Sequence, residues 1–112
     1  IIDDNKRQLD GYTKDVINPF SIEAKMKAFG FNTQTVKGND LDAIDEAITK
    51  AKSVTDSAVC IVLDTIKGQG VKFFEELLDN HSVKFNTEEV NRATDEAKAS
   101  LKKEIEEEEQ HV

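Results

Sequence analysis

The order of strand-like and helix-like segments along these 112 residues predicts an α/β domain, a partial three-layer α/β/α arrangement around a mostly parallel sheet. Three observations carry this reading. Ala58 to Thr65 holds a continuous apolar run of strand length, the pattern of a strand covered on both faces. Phe31 to Val36 alternates Phe31, Thr33 and Thr35 against Asn32, Gln34 and Val36, with β-branched residues prominent, which predicts a second strand. Between the two, Leu41, Ile44, Ile48 and Ala51 recur at helical spacing. Strands that alternate with helices pair in parallel through right-handed crossovers.

Taken in order, Ile1-Ile2 running into Asp3-Asp4-Asn5 predicts an opening strand that frays into a polar loop. Residues 6–20 read as a long polar connection holding Asp10-Gly11 and the single proline, Pro19. Ser21 is placed to cap a short helix whose Ile22, Met26 and Phe29 share a face and which Gly30 ends. Gly38-Asn39 turns the chain, and Asp40 caps the helix that runs to about Lys52. At most three strands are expected. After Lys67-Gly68-Gln69-Gly70 and an apolar cluster of Val71, Phe73, Phe74, Leu77 and Leu78, a long charged helix capped by Asn86 or Thr87 runs to Gln110. Its stripe, Val90, Ala93, Ala97, Leu101 and Ile105, is thin in bulk and is expected to lie along a larger body. The boundaries that follow are residues 1–85 for the α/β portion and 86–112 for an acidic helix and tail.

Size and charge narrow the function. The chain is one domain at most, and 38% hydrophobic residues with no Trp predict a modest core. It opens on Ile-Ile rather than Met, which suggests a piece truncated at the N-terminus. Fifteen Lys and Arg against 23 Asp and Glu give a net charge of −8, which repels nucleic acid and anionic lipid. Cys60, the single cysteine, sits inside the apolar run and reads as a small buried hydrophobe; no CxxC supports zinc. No apolar run approaches the ~20 residues that span a bilayer. A cytoplasmic protein without membrane or nucleic-acid partners is expected.

The stretch from Ile1 to Gly11 is the most informative. Asn5 offers a side-chain oxygen, Asp3 and Asp4 offer carboxylates, and the carbonyls of Lys6 and Arg7 are expected to be left over where the strand stops. Such oxygens suit Mg²⁺, which takes few protein groups and completes its shell with phosphates. A polar turn after an edge strand explains the same residues, and on local sequence alone it is the favoured reading. Gly68-Gln69-Gly70 can bring backbone N–H groups to an anion, with Lys67 beside it, but lacks a full phosphate-loop pattern. His81 is either a proton donor in a site or a solvent-facing loop histidine; His111 is expected to be inert.

As a set, these segments resemble the later part of the thiamine-diphosphate-binding domain of transketolases, particularly the short N-terminal subunits of split enzymes. Asp4-Asn5-Lys6-Arg7-Gln8-Leu9-Asp10-Gly11 resembles the end of a cofactor motif that begins Gly-Asp-Gly and closes with Asn. Asn18 to Ile22, Lys25 and Ala28-Phe29-Gly30-Phe31 resemble a helix that ends Ala-Phe-Gly-Trp, with Phe31 in place of Trp. Gly38-Asn39-Asp40 resembles a Gly-His-Asp turn, and Leu63 to Val71 resembles a Thr-Ile-Lys-Gly-Lys-Gly-Val segment, followed at family spacing by His81. The four blocks occur in family order and cover the chain to about Phe85.

The resemblance implies the thiamine-diphosphate-binding fold and transfer of a two-carbon ketol group between sugar phosphates. It implies that Asn5 donates its side-chain oxygen and Arg7 its carbonyl to Mg²⁺, and that His81 sits near cofactor and substrate. Asn80 and Ser82 depart from the usual Trp-His-Gly or Trp-His-His surroundings. The Gly-Asp-Gly half of the motif would precede Ile1, and the glutamate that activates the cofactor belongs to a complementary domain or subunit. The isolated chain is therefore expected to be inactive, and the intact enzyme a homodimer or heterotetramer. Two alternatives stand beside this: a deoxyxylulose phosphate synthase, against which the Gln8 to Gly11 and Ala28 to Gly30 blocks weigh, and a non-catalytic α/β interaction module. A module has no need of an oxygen-donating Asn two residues before an available carbonyl.

Overall fold

The apolar run becomes the centre of a sheet. The computed structural model describes residues 1–110, so the expectation for His111 lies outside the described residues. Strand β1 (Ile2–Asp4) leads into a ribbon of β2 (Arg7–Gln8) and β3 (Gly11–Tyr12) and a single helical turn, α1 (Thr13–Val16). Helix α2 (Ile22–Ala28), strand β4 (Asn32–Lys37), helix α3 (Leu41–Lys52) and strand β5 (Val59–Asp64) follow. These elements lie in one compact unit, Ile1–Lys67, and a second unit starts at Gly68.

In the first unit the sheet order is β1-β5-β4, and both pairings are parallel. The last strand in sequence thus takes the middle position, and Cys60, Ile61 and Val62 are buried there, Val62 only 2% exposed. This is the α/β architecture the pattern predicts. The caps are also those expected: the Ser21 hydroxyl accepts the Ala24 N–H and the Asp40 carboxylate accepts the Ala43 N–H, each at 3.0 Å. Helix α2 is tied to β4 by Glu23, whose carboxylate accepts the Thr35 hydroxyl at 2.5 Å and pairs with Lys27 at 2.6 Å. Helix α3 is tied to the same strand by the Gln34 amide, which donates to the Ala47 carbonyl at 2.8 Å.

Three details differ from the sequence pattern. Residues 6–20 are not a featureless connection, because the turn at Leu9-Asp10 closes the antiparallel β2–β3 ribbon, so the described residues form five strands where at most three are expected. The apolar stripe of α3 is centred on buried Ala47, while Leu41 is 81% exposed at the helix start. Phe29 is likewise exposed, because α2 ends at Ala28 and Phe29 leaves the face shared by Ile22 and Met26.

The second unit holds α4 (Lys72–Glu76) and the long α5 (Glu88–Glu109). Thr87 caps α5 through the Val90 N–H at 3.3 Å. Phe74 stacks edge-on against Phe73 and Phe85, ring centroids 5.3 and 6.1 Å apart. Val90 and Ala93 are buried, but Leu101 and Ile105 further along the stripe remain 57% and 47% exposed. The second half of α5 is therefore as weakly packed as its small residues suggest.

Two expectations follow for the complete protein. Val62→Ala deletes two buried methyl groups from the central strand and should cost about 2 kcal/mol in denaturant unfolding. Glu23 is held below its ordinary value of 4.5 by Lys27 first and the Thr35 hydroxyl second. A carboxyl so depressed stabilises the fold above 4.5, and that contribution is lost as pH falls through the lowered value. Glu23→Gln should therefore lower the unfolding midpoint slightly near neutrality and leave the acid end unchanged, which flattens the acid limb of a plot of midpoint against pH.

Candidate functional site

Strands β1 and β5 end together, Asp4 opposite Asp64. The pairing runs on past both ends, since the Thr65 N–H donates to the Asp4 carbonyl and the Lys67 N–H to the Asn5 carbonyl, each at 3.3 Å. On the other side of β5 the Gly38 N–H donates to the Asp64 carbonyl at 2.9 Å. Asn5, Thr65 and Gly38 thus share the carboxyl edge of the sheet, where open α/β folds bind their ligands. A Cβ on Gly38 would collide with the Thr65 methyl, so glycine is what lets the turn after β4 pass so close.

The chain leaves β1 through a tight turn. The Asn5 side-chain oxygen accepts the Arg7 N–H at 3.0 Å, and its amide nitrogen donates to Asp3 at 3.1 Å. Between them Lys6 takes a left-handed backbone, φ 65°, unfavourable for a residue with a side chain. Its ammonium pairs with Asp4 at 2.5 Å and with Asp64 at 2.7 Å. Burial works against the Lys6 charge, but the two carboxylates outweigh it and hold the ammonium above its ordinary 10.5.

Of the two carbonyls expected to be left over, that of Lys6 is engaged within the chain. The Lys6 carbonyl accepts the Thr13 N–H at 3.0 Å, which corrects that expectation for Lys6. The same bond makes Arg7 opposite Tyr12 the non-hydrogen-bonded pair of the ribbon. Arg7 therefore directs its N–H and carbonyl to the side away from β3, and the N–H meets Asn5 there. The Arg7 side chain is committed elsewhere: it is 9% exposed, donates to the Tyr12 hydroxyl at 3.2 Å, and sets its guanidinium 4.3 Å from the Tyr12 ring centre.

An amide oxygen has two lone pairs, so Asn5 keeps an acceptor site after serving Arg7. With the Arg7 carbonyl this makes a set of neutral, hard oxygens, which fits a Mg²⁺ ion that draws its other ligands from water and phosphate. Among the described residues no three His, Cys, Asp or Glu side chains cluster to hold a metal. Asp3 and Asp4 are both engaged in the loop, Asp3 by Asn5 and the Thr65 hydroxyl, Asp4 by Lys6.

The second unit holds the other expected residues. The Gly70 N–H donates to the Glu75 carboxylate at 2.8 Å, so the glycine turn already carries an anionic group. Gly68 has φ 82°, and a Cβ there would lie 2.8 Å from the Phe74 backbone. His81 is exposed in the connection between α4 and α5, just after Asn80, whose amide donates to the Phe74 carbonyl at 2.7 Å. The structure thus brings Asn5 and Arg7 together in the first unit and places His81 in the second. Sequence reasoning missed Thr65, Asp64, Gly38 and the Lys6 ammonium as parts of the Asn5 loop. Their signal was the parallel pairing itself, which makes residues after two strands neighbours.

Comparison with known proteins points one way. The family described as transketolase, thiamine diphosphate binding domain, matches residues 1–108. A 6-deoxy-6-sulfo-D-fructose transketolase subunit of a Clostridium species is 43% identical over 103 residues, 91% of this chain and 36% of that protein. An apulose-4-phosphate transketolase subunit of Actinobacillus succinogenes is 31% identical over 98 residues, 88% of this chain and 35% of that protein. A transketolase of a Nostoc species is 40% identical over 72 residues, 62% of this chain and 11% of that protein. The chain thus spans little more than a third of the first two of these relatives.

The Lys6 turn yields a test in the complete protein. Lys6→Ala removes the ammonium and keeps the left-handed strain, whereas Lys6→Gly removes both. Lys6→Gly should be the more stable of the two by about 1 kcal/mol in denaturant unfolding. A lysine whose folded value is raised contributes at every pH below 10.5 and ceases to contribute as pH climbs through the raised value. The difference between wild type and Lys6→Ala should then stay constant near neutrality and narrow only above 10.5.

Proposed function

The chain belongs to the transketolase thiamine-diphosphate-binding family, and from that premise we propose that it forms the later part of the cofactor domain of a two-carbon ketol transferase. The observation that carries this reading is the Asn5 loop at the carboxyl end of β1. There a side-chain oxygen and the backbone of the residue two positions on are joined by one hydrogen bond.

In this reading Asn5 and the Arg7 carbonyl would hold Mg²⁺, which would offset the charge of the cofactor diphosphate. Thiamine diphosphate, when bound, supplies the carbanion chemistry. The work of this chain is to bind and orient. His81 donates a proton to oxygen that becomes negative in the substrate, a task suited to an imidazole near neutral pH. Residues 1–85 form the domain body and 86–112 an acidic helix and tail that lies along the rest of the enzyme.

The substrates are sugars with an anionic terminus. Sugar phosphates are the family expectation, and the names of two relatives carry a sulfonated fructose and a phosphorylated apulose. A complementary domain or subunit completes the site, in a homodimer or heterotetramer in the cytoplasm, and the isolated piece is inactive. Among the described residues no helix is long and apolar enough to cross a membrane.

The test uses the complete protein assembled with its complementary domain. Asn5→Ala should weaken Mg²⁺-dependent binding of thiamine diphosphate at least tenfold in calorimetry while the unfolding midpoint stays near wild type. Unchanged binding would remove Asn5 from the site.

A further inference from the structure

The Asn5 amide has an oxygen end and a nitrogen end, and only the oxygen can serve a cation. We propose that Asp3 is a positioning residue that fixes which end is presented, an inference that rests on the reading of Asn5 as a Mg²⁺ ligand. A carboxylate only accepts hydrogen bonds, so Asp3 can face the NH₂ of Asn5 and not its oxygen. The observed contact is of that kind, Asn5 nitrogen to Asp3 oxygen at 3.1 Å. With the nitrogen held there, the oxygen is turned to the Arg7 backbone, where it accepts the N–H at 3.0 Å. A flipped amide would set oxygen against carboxylate and NH₂ against N–H, losing both contacts at once.

Asp3 is itself held from across the sheet. Its second oxygen accepts the Thr65 hydroxyl, 62 residues away in sequence. Thr65 is in turn fixed by its N–H to the Asp4 carbonyl and by the passage of Gly38 over its methyl group. The amide orientation at Asn5 is thus set through Asp3 by the end of β5. Asp4, the other acid of the pair, is bound to Lys6 instead. Groups that orient a metal ligand in this way commonly change metal affinity about 10- to 100-fold when removed.

The experiment measures the Mg²⁺ concentration for half-maximal thiamine-diphosphate binding in the complete protein assembled with its complementary domain, with thermal unfolding as the control for folding. Asp3→Ala should raise that concentration about tenfold or more. Asp3→Asn should recover most of the loss, because its side-chain oxygen can still accept from Asn5. Thr65→Val should give a smaller rise in the same direction. In an Asn5→Ala background, Asp3→Ala should add less than about twofold, since no amide remains to orient.

If Asp3→Asn is as damaging as Asp3→Ala, the negative charge itself serves the metal and the positioning role is overturned. The role is also overturned if Asp3→Ala and Asn5→Ala act independently, or if Asp3→Ala leaves the concentration unchanged while Asn5→Ala raises it. Should Asn5→Ala have no effect either, the assignment of Asn5 fails and takes this inference with it. Where Asp3→Ala does not fold, Asp3→Asn and Thr65→Val in wild-type and Asn5→Ala backgrounds decide the matter.

Discussion

The parallel pairing of β5 against β1 is the constraint on which the Asn5 loop depends. β5 enters last in sequence, between two strands that the ribbon, α1 and α2 separate along the chain, and it brings the most buried side chain, Val62, with it. Because side chains alternate along a strand and Cys60, Ile61 and Val62 are all buried, a slip of one residue would move each of them into a packed site on the opposite face shaped for a different side chain. Burial therefore fixes the register. The register in turn decides that Asp64 ends opposite Asp4, that Thr65 reaches Asp3, and that Lys6 finds two carboxylates rather than one. A packing preference at the centre of the sheet becomes, three residues later, the geometry of a polar turn.

Under the proposed function, that turn has to solve an electrostatic problem. A chain of net charge −8 is a poor host for a diphosphate, and the turn itself contains Asp3, Asp4 and Asp64. The cations nearest in sequence do not relieve this, since Lys6 is engaged by Asp4 and Asp64 and Arg7 by the face of Tyr12. The ligands proposed for the metal are neutral oxygens. Neutral oxygens attract a divalent cation without adding negative charge, and a cation so held can then accept the phosphate oxygens that the acids would repel. The left-handed backbone at Lys6 belongs to the same solution. It is the local cost of turning the chain within one residue so that the Arg7 N–H meets Asn5.

Much of this was legible in the sequence, for identifiable reasons. The apolar run at 58–65 could hardly be anything but a central strand, and Ser21, Asp40 and Thr87 announce their helices because a capping oxygen is a local device. The ordered motif blocks pointed to the family that matches residues 1–108. What was hidden was non-local. The β2–β3 ribbon has two residues per strand, too few for alternation to register, and it depends on Tyr12 covering Arg7. Leu41 and Phe29 fit a helical stripe but fall at helix ends, where the face turns away from the sheet. Thr65 reads as one more residue after a strand until the pairing sets it beside Asp3.

The glycine turn shows how a motif can mislead when read alone. Gly68 and Gly70 both have positive φ, and such residues do open backbone N–H groups to anions. Here the Gly70 N–H holds the Glu75 carboxylate, and Gly68 is required because the Phe74 backbone leaves no space for a side chain. One glycine thus serves close packing. The amide of the other is matched to an anion the chain supplies from α4, so that N–H can reach a phosphate only by releasing Glu75. Backbone cradling at this turn then competes with an internal carboxylate. Under the proposed function, that competition favours a metal bridge at Asn5 over a glycine cradle as the means of holding a diphosphate.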